Sequence, residues 1–67
     1  MSVSYKKMWH LLLDKNMKKK DLAIRAGVSI YTMNKLTSDG NVTMKVIEKI
    51  CTALDCKVDD ILEFIKE

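Results

Sequence analysis

Three side chains in this 67-residue sequence pose the chemical question: Tyr31, Asn34 and Lys35. With Tyr31 at zero on a helical wheel of about 100° per residue, Asn34 and Lys35 fall near roughly 300° and 40°, so all three share one face. Met33 and Leu36 fall near roughly 200° and 140°, on the opposite apolar face. Thr32 and Ile30 occupy the flanks. A face of Tyr, Asn and Lys offers hydrogen bonds to base edges and phosphates. Asn34 could pair bidentately with adenine, Lys35 with guanine or a phosphate, and Ile30 or Thr32 could meet a thymine methyl. Ile30 has a second reading, packed in the core against the first helix.

A second cluster, Lys18, Lys19 and Lys20, falls at the predicted start of the preceding helix. Like-signed charge beside the positive end of a helix dipole costs stability unless a polyanion neutralises it. One reading is therefore a solvated lysine run, the other a phosphate clamp. The charge distribution favours the second. Residues 1–35 carry eight basic and two acidic side chains, and residues 36–67 carry four basic and seven acidic, so the net +3 conceals a basic half and an acidic half. A phosphate-facing surface requires such asymmetry.

The elements that must hold these residues follow from periodicity and caps. Residues 19–26 predict a helix with Leu22, Ala23 and Ala26 inward, and Asp21 in its first turn offsets part of the lysine charge. Gly27 stands where a helix end needs a left-handed residue, Val28 follows as an apolar plug, and Ser29 can cap a helix over 30–37. Two short helices around a glycine turn outline a helix-turn-helix. Before them, residues 5–15 predict a helix capped by Ser4, with Tyr5, Met8, Trp9, Leu12 and Leu13 as its stripe and Asn16 suited to a left-handed end. After them, Ser38-Asp39-Gly40-Asn41 is a turn, Thr43 caps a helix over 44–54, and Val42 and Ile47 are spaced as a hydrophobic staple. That helix buries Ile47, Ile50, Cys51 and Leu54. A fifth helix is predicted over 58–65, with Val58, Ile61, Leu62 and Ile65 as its stripe and Phe64 off its centre.

The expected fold class is all-α, five helices in a single domain spanning 1–67. A chain this short buries only about 60% of its unfolded surface, which leaves no deep cleft and a thin stability margin. An enzyme is not expected: no nucleophile–base pair or phosphate loop is present. No metal or cofactor is expected either, since His10 is the sole histidine and Cys51 and Cys56 cannot complete four ligands with it. No apolar run reaches the roughly 18–20 residues of a membrane span. Two cysteines in so small a chain fit a reducing cytoplasm better than secretion. No small-molecule ligand is evident.

Taken jointly, Leu22-Ala23, Ala26-Gly27-Val28-Ser29, Met33, Leu36, Gly40, the stretch from Ile47 to Cys56, and Asp59-Asp60-Ile61-Leu62 resemble the small Cro/C1-type helix-turn-helix regulators of bacteria and phages. The resemblance covers about residues 5–64 and implies a lambda-repressor-like DNA-binding domain with its helix-turn-helix at helices two and three. It implies sequence-specific transcriptional regulation, as a repressor that binds a palindromic operator on double-stranded DNA as a homodimer. The third helix would read bases through Ile30, Tyr31, Thr32, Asn34 and Lys35. Phosphates would be met by Lys18, Lys19 and Lys20, by Ser29, and by Asn41, Thr43 and Lys45. A second function compatible with the fold is an antitoxin-like or anti-repressor-like protein-interaction module, using helix five and Phe64. Relatives often carry Thr then Gln where this chain has lysines, and Glu-Asn-Gly where it has Ser38-Asp39-Gly40. The lysines favour electrostatic over geometric clamping.

Overall fold

The last segment of the chain departs most from the sequence expectation. In the computed structural model, which describes residues 2–66, no helix forms over 58–65. Val58–Asp60 is a single 3₁₀ turn, and Glu63–Ile65 is a strand, β2, paired antiparallel with β1, Ser2–Ser4. Ser2 lies opposite Ile65, Val3 opposite Phe64 and Ser4 opposite Glu63. The described residues therefore form four helices and a two-stranded sheet rather than five helices.

The reason is local at first. The Asp60 carboxylate accepts the Lys57 N–H at 3.0 Å, and the Asp60 N–H donates to the Lys57 carbonyl at 3.0 Å, which closes one tight turn. Ile61 then drops into the core and Leu62 is half-buried beside it. A helix of eight residues gains little by itself, whereas Phe64 and Ile65 suit a strand and the N-terminal segment supplies its hydrogen bonds. Of the predicted stripe, Ile61 is buried, while Val58 and Ile65 are exposed.

The other helices are α1, Lys6–Asp14; α2, Lys19–Ala26; α3, Ile30–Thr37; and α4, Met44–Leu54. Ser4 ends β1 rather than capping α1, where Tyr5 takes the cap position, yet its hydroxyl still accepts the Lys6 N–H at 3.3 Å. The α1 stripe is narrower than expected: Tyr5, Met8 and Leu12 are buried and Trp9 is half-buried, but Leu13 is 73% exposed.

Between α2 and α3, Gly27 adopts φ 67°, ψ 37°, where an L side chain is disfavoured. Its neighbour Val28 donates to the Ala23 carbonyl at 2.9 Å and is buried as the plug of the turn. The Ser29 hydroxyl accepts the Thr32 N–H at 3.1 Å and opens α3. Helix α2 packs against both α3 and α4, while the 3₁₀ turn rests on α1. Leu22, Leu36, Ile50 and Ile61 meet Met8 and Tyr5 at the centre of the core.

Tyr5 does more than fill space. Its hydroxyl donates to the Gly40 carbonyl at 2.9 Å, and its N–H donates to the Asp39 carboxylate at 3.3 Å. These bonds join the start of α1 to the turn that follows α3. Burial, reinforced by the Asp39 charge, raises the phenol above its ordinary 10.0. The neutral phenol is the form favoured in the native state, so its contribution is complete below pH 10 and declines as pH rises beyond it. Cys56, raised from 9.0 to about 11, extends the alkaline decline downward to pH 9. Tyr5→Phe should cost about 1 kcal/mol, or roughly 4–8 °C of melting temperature. Thermal unfolding from pH 7 to 11 checks both statements, since the variant should lose the part of the alkaline decline that Tyr5 causes.

Candidate nucleic-acid interface

Helix α3 has two chemically distinct sides. Met33 and Leu36 are buried in the core. On the other side Tyr31 is 70% exposed and Asn34 and Lys35 are also exposed. Ile30 is 60% exposed, so it lies on the solvent side of the helix rather than in the core. Thr32 is half-buried at the flank, and its hydroxyl receives a 3.0 Å bond from Ser29. The Lys35 ammonium lies 5.0 Å from the centre of the Tyr31 ring. This contact holds two of the exposed side chains as one unit, at a strength of about 0.5–1 kcal/mol for an exposed site.

Two candidate groups meet in one groove. Thr32 and Lys35 from α3 line it together with Asn41, Val42, Thr43 and Val46. The loop from α3 into α4 thus stands beside the outer face of α3, and the Tyr5 bonds to Asp39 and Gly40 hold the loop's first residues. A 2.7 Å bond from the Gly40 N–H to the Lys35 carbonyl tightens the same turn. A side chain at Gly40 would place its Cβ 3.1 Å from that carbonyl, which gives this position a packing reason to be glycine.

The lysine cluster behaves less uniformly than its sequence suggests. Lys18 occupies the cap position of α2, and its N–H donates to the Asp21 carboxylate at 3.2 Å. Lys18 and Lys20 are exposed, and Asp21 is the acidic residue of the first turn. Lys19 folds back: its ammonium lies 4.6 Å from the centre of the Trp9 ring and donates to the Thr37 hydroxyl at 3.3 Å. That contact links the start of α2 to the end of α3. Trp9 is therefore a half-buried anchor whose ring carries a lysine.

Two further candidates are committed locally. The Ser29 hydroxyl caps α3, and the Thr43 hydroxyl accepts the Val46 N–H at 3.3 Å to cap α4. Lys45 pairs with Glu48 at 3.5 Å across one turn, with both side chains about 70% exposed. An exposed pair of this kind contributes little and yields readily to a stronger anion. No acidic residue occupies the first turn of α4, so its positive dipole end faces the loop unopposed. The groove gathers Thr32, Lys35, Asn41 and Thr43, while Lys18, Lys20, Ser29 and Lys45 lie outside its lining.

Sequence reasoning placed Tyr5 on an apolar stripe and missed its hydroxyl as the tie to the turn. The only signal was that the residue is Tyr rather than Phe. Nothing in its spacing points to a partner 35 residues away.

Comparison with known proteins accords with this arrangement. Residues 7–67 match the family of the Cro/C1-type HTH DNA-binding domain. A solved structure, described as the crystal structure of the transcriptional regulator VanUg, superposes with a TM-score of 0.93 at 44% sequence identity. The alignment covers 98% of this chain and 88% of that one. No curated protein matches the chain. Among the described residues, no helix is long and apolar enough to cross a membrane.

Proposed function

We propose, from the premise that the chain belongs to the Cro/C1-type helix-turn-helix DNA-binding family, that it is a sequence-specific repressor. In this reading it binds a palindromic operator as a homodimer. One observation carries the reading: α3 buries Met33 and Leu36 while offering Tyr31, Asn34 and Lys35 to solvent beside a groove lined by Asn41 and Thr43. A helix so mounted can enter a major groove of about 12 Å width with its polar side against base edges. Ile30, at the N-terminal end of the helix, adds an apolar surface suited to a thymine methyl.

Affinity comes from phosphates and selectivity from bases. Lys18, Lys20 and Lys45 offer the flanking charge. Lys19 joins them by exchanging its contact with Thr37 for a phosphate oxygen, its ammonium staying beside the Trp9 ring. Asn41, Thr43 and Ser29 contribute polar backbone contacts at the ends of α3 and α4, where helix dipoles favour anions. One α3 per chain reads few base pairs. Two copies on half-sites about 34–36 Å apart would supply the missing affinity.

Selection of bound duplexes from a random pool tests the reading directly. Recovery of a two-fold symmetric sequence supports a dimeric reader, a single short site would leave a monomeric one, and no enrichment would remove sequence-specific binding. On the selected site, log affinity should fall linearly with log salt at about 0.9 per phosphate contact. Asn34→Ala should relax preference at one base pair per half-site by about 1–3 kcal/mol while leaving the salt slope unchanged. Competition titrations against single-base variants of the site measure both quantities.

A further inference from the structure

The last turn of α4 brings the two cysteines of the chain together. The helix ends on Asp55 in the left-handed region, at φ 51° and ψ 55°. The Asp55 N–H donates to the Thr52 carbonyl at 3.3 Å, and the Cys56 N–H donates to the Cys51 carbonyl at 3.0 Å. This pair of nested bonds is a Schellman cap, in which the side chains at the two ends of the wider bond, here Cys51 and Cys56, commonly touch. In this protein both members of that pair are thiols, and the Cys51 thiol lies near enough to help raise the Cys56 thiol. Both are free and half-buried. They line one open groove with Met44, Ile47, Thr52 and Val58, so a small molecule can reach them from solvent.

We propose that Cys51 and Cys56 form a modification site that closes into an intramolecular disulfide by exchange with a low-molecular-weight disulfide. The 3.0 Å bond from the Cys56 N–H to the Cys51 carbonyl draws the two backbones together, and a disulfide needs Cα atoms roughly 5–6 Å apart. Their order of action follows from the local chemistry. Burial, and then the neighbouring Cys51 thiol and Asp60, push the Cys56 thiol up to about 11 against the opposing pull of Lys15. Cys56 is thereby kept protonated, and Cys51 is the attacking sulfur.

In the first step the Cys51 thiolate attacks one sulfur of the small disulfide, whose S–S bond breaks. One small thiolate leaves and takes up a proton. Cys56 then loses its proton to solvent and attacks the Cys51 sulfur of the mixed disulfide, and the second small thiolate leaves and is protonated. The two protein thiols give up two electrons and two protons, and one small disulfide becomes two small thiols. Because the segment is already folded back on itself, closure needs little native rearrangement and acts mainly by restricting the unfolded chain.

The test incubates the full chain with glutathione disulfide, quenches with an alkylating agent and weighs the product. The expected product is a monomer lighter by two hydrogens, with neither cysteine alkylated, that melts about 5–10 °C higher and reverts with excess dithiothreitol. Two alkylatable thiols, persistent adducts on both cysteines, or disulfide-linked dimers alone would overturn the proposal. In Cys56→Ser the reaction should stop at one stable adduct on Cys51 with no gain in melting temperature. A Cys51 left unmodified in that variant also overturns it.

Discussion

Leu36→Ala is expected to leave little folded protein at room temperature. Leu36 is 0% exposed and sits on the inner side of α3, in the core formed with Leu22, Ile50 and Ile61. Truncating a buried leucine costs about 2–5 kcal/mol, according to how far the site can collapse around the cavity. A core in a chain of this size supplies only about 3–5 kcal/mol of net stability, so the loss is comparable with the whole. The neighbours offer little relief, because α2 packs against both α3 and α4 and a shift of one displaces the others. Tyr31→Ala, in the same helix but on its exposed side, should cost no more than about 1 kcal/mol, the strength of its contact with Lys35. Urea titrations followed by circular dichroism compare the two. Equal effects on stability would contradict the two-sided arrangement of α3, and with it the assignment of its outer face to recognition.

The joint replacement of Lys18, Lys19 and Lys20 by Ala carries the largest expected effect on binding. Each phosphate contact contributes about 0.9 to the salt slope, so three contacts amount to a slope shallower by about 2.7 per chain and to a loss on the order of a hundredfold at 0.1 M salt. The loss should be the same on the selected operator and on unrelated duplexes, because phosphates carry no sequence information. Removing three like charges from the positive end of α2 relieves repulsion there. The variant also forfeits the contact of Lys19 with Trp9, about 0.5–1 kcal/mol at an exposed site. The net change in stability is therefore small, and a melting curve separates it from the change in affinity. An unchanged slope, or a loss confined to the operator, would remove these lysines from the phosphate-contacting set.

Much of the candidate site was legible because its signals are short-range. Gly27, Ser29 and Thr43 act through bonds that span a few residues, and each is where its residue type is physically favoured. The alternation of Met33 and Leu36 with Tyr31, Asn34 and Lys35 follows from helical geometry alone. The same logic misled at the C-terminus. Val58, Ile61, Leu62 and Ile65 have helical spacing, but spacing does not reveal that Ser2–Ser4 lies alongside and offers a strand a partner. The interaction module considered as a second function was drawn on a fifth helix. That segment instead presents a short strand with Phe64 67% exposed.

By itself, then, the sequence determined the helix-turn-helix, its caps and its inner and outer sides, together with the separation of a basic from an acidic half. Tertiary structure decided the rest. It tied Tyr5 to the turn after α3 across 34 and 35 residues, set Lys19 on Trp9 and against Thr37, turned Ile30 outward, and paired the two ends of the chain. The division has a physical cause. Caps and helix faces are settled by atoms within about one turn of the chain, whereas a contact between distant residues depends on how several helices pack at once. No spacing in the sequence records that packing.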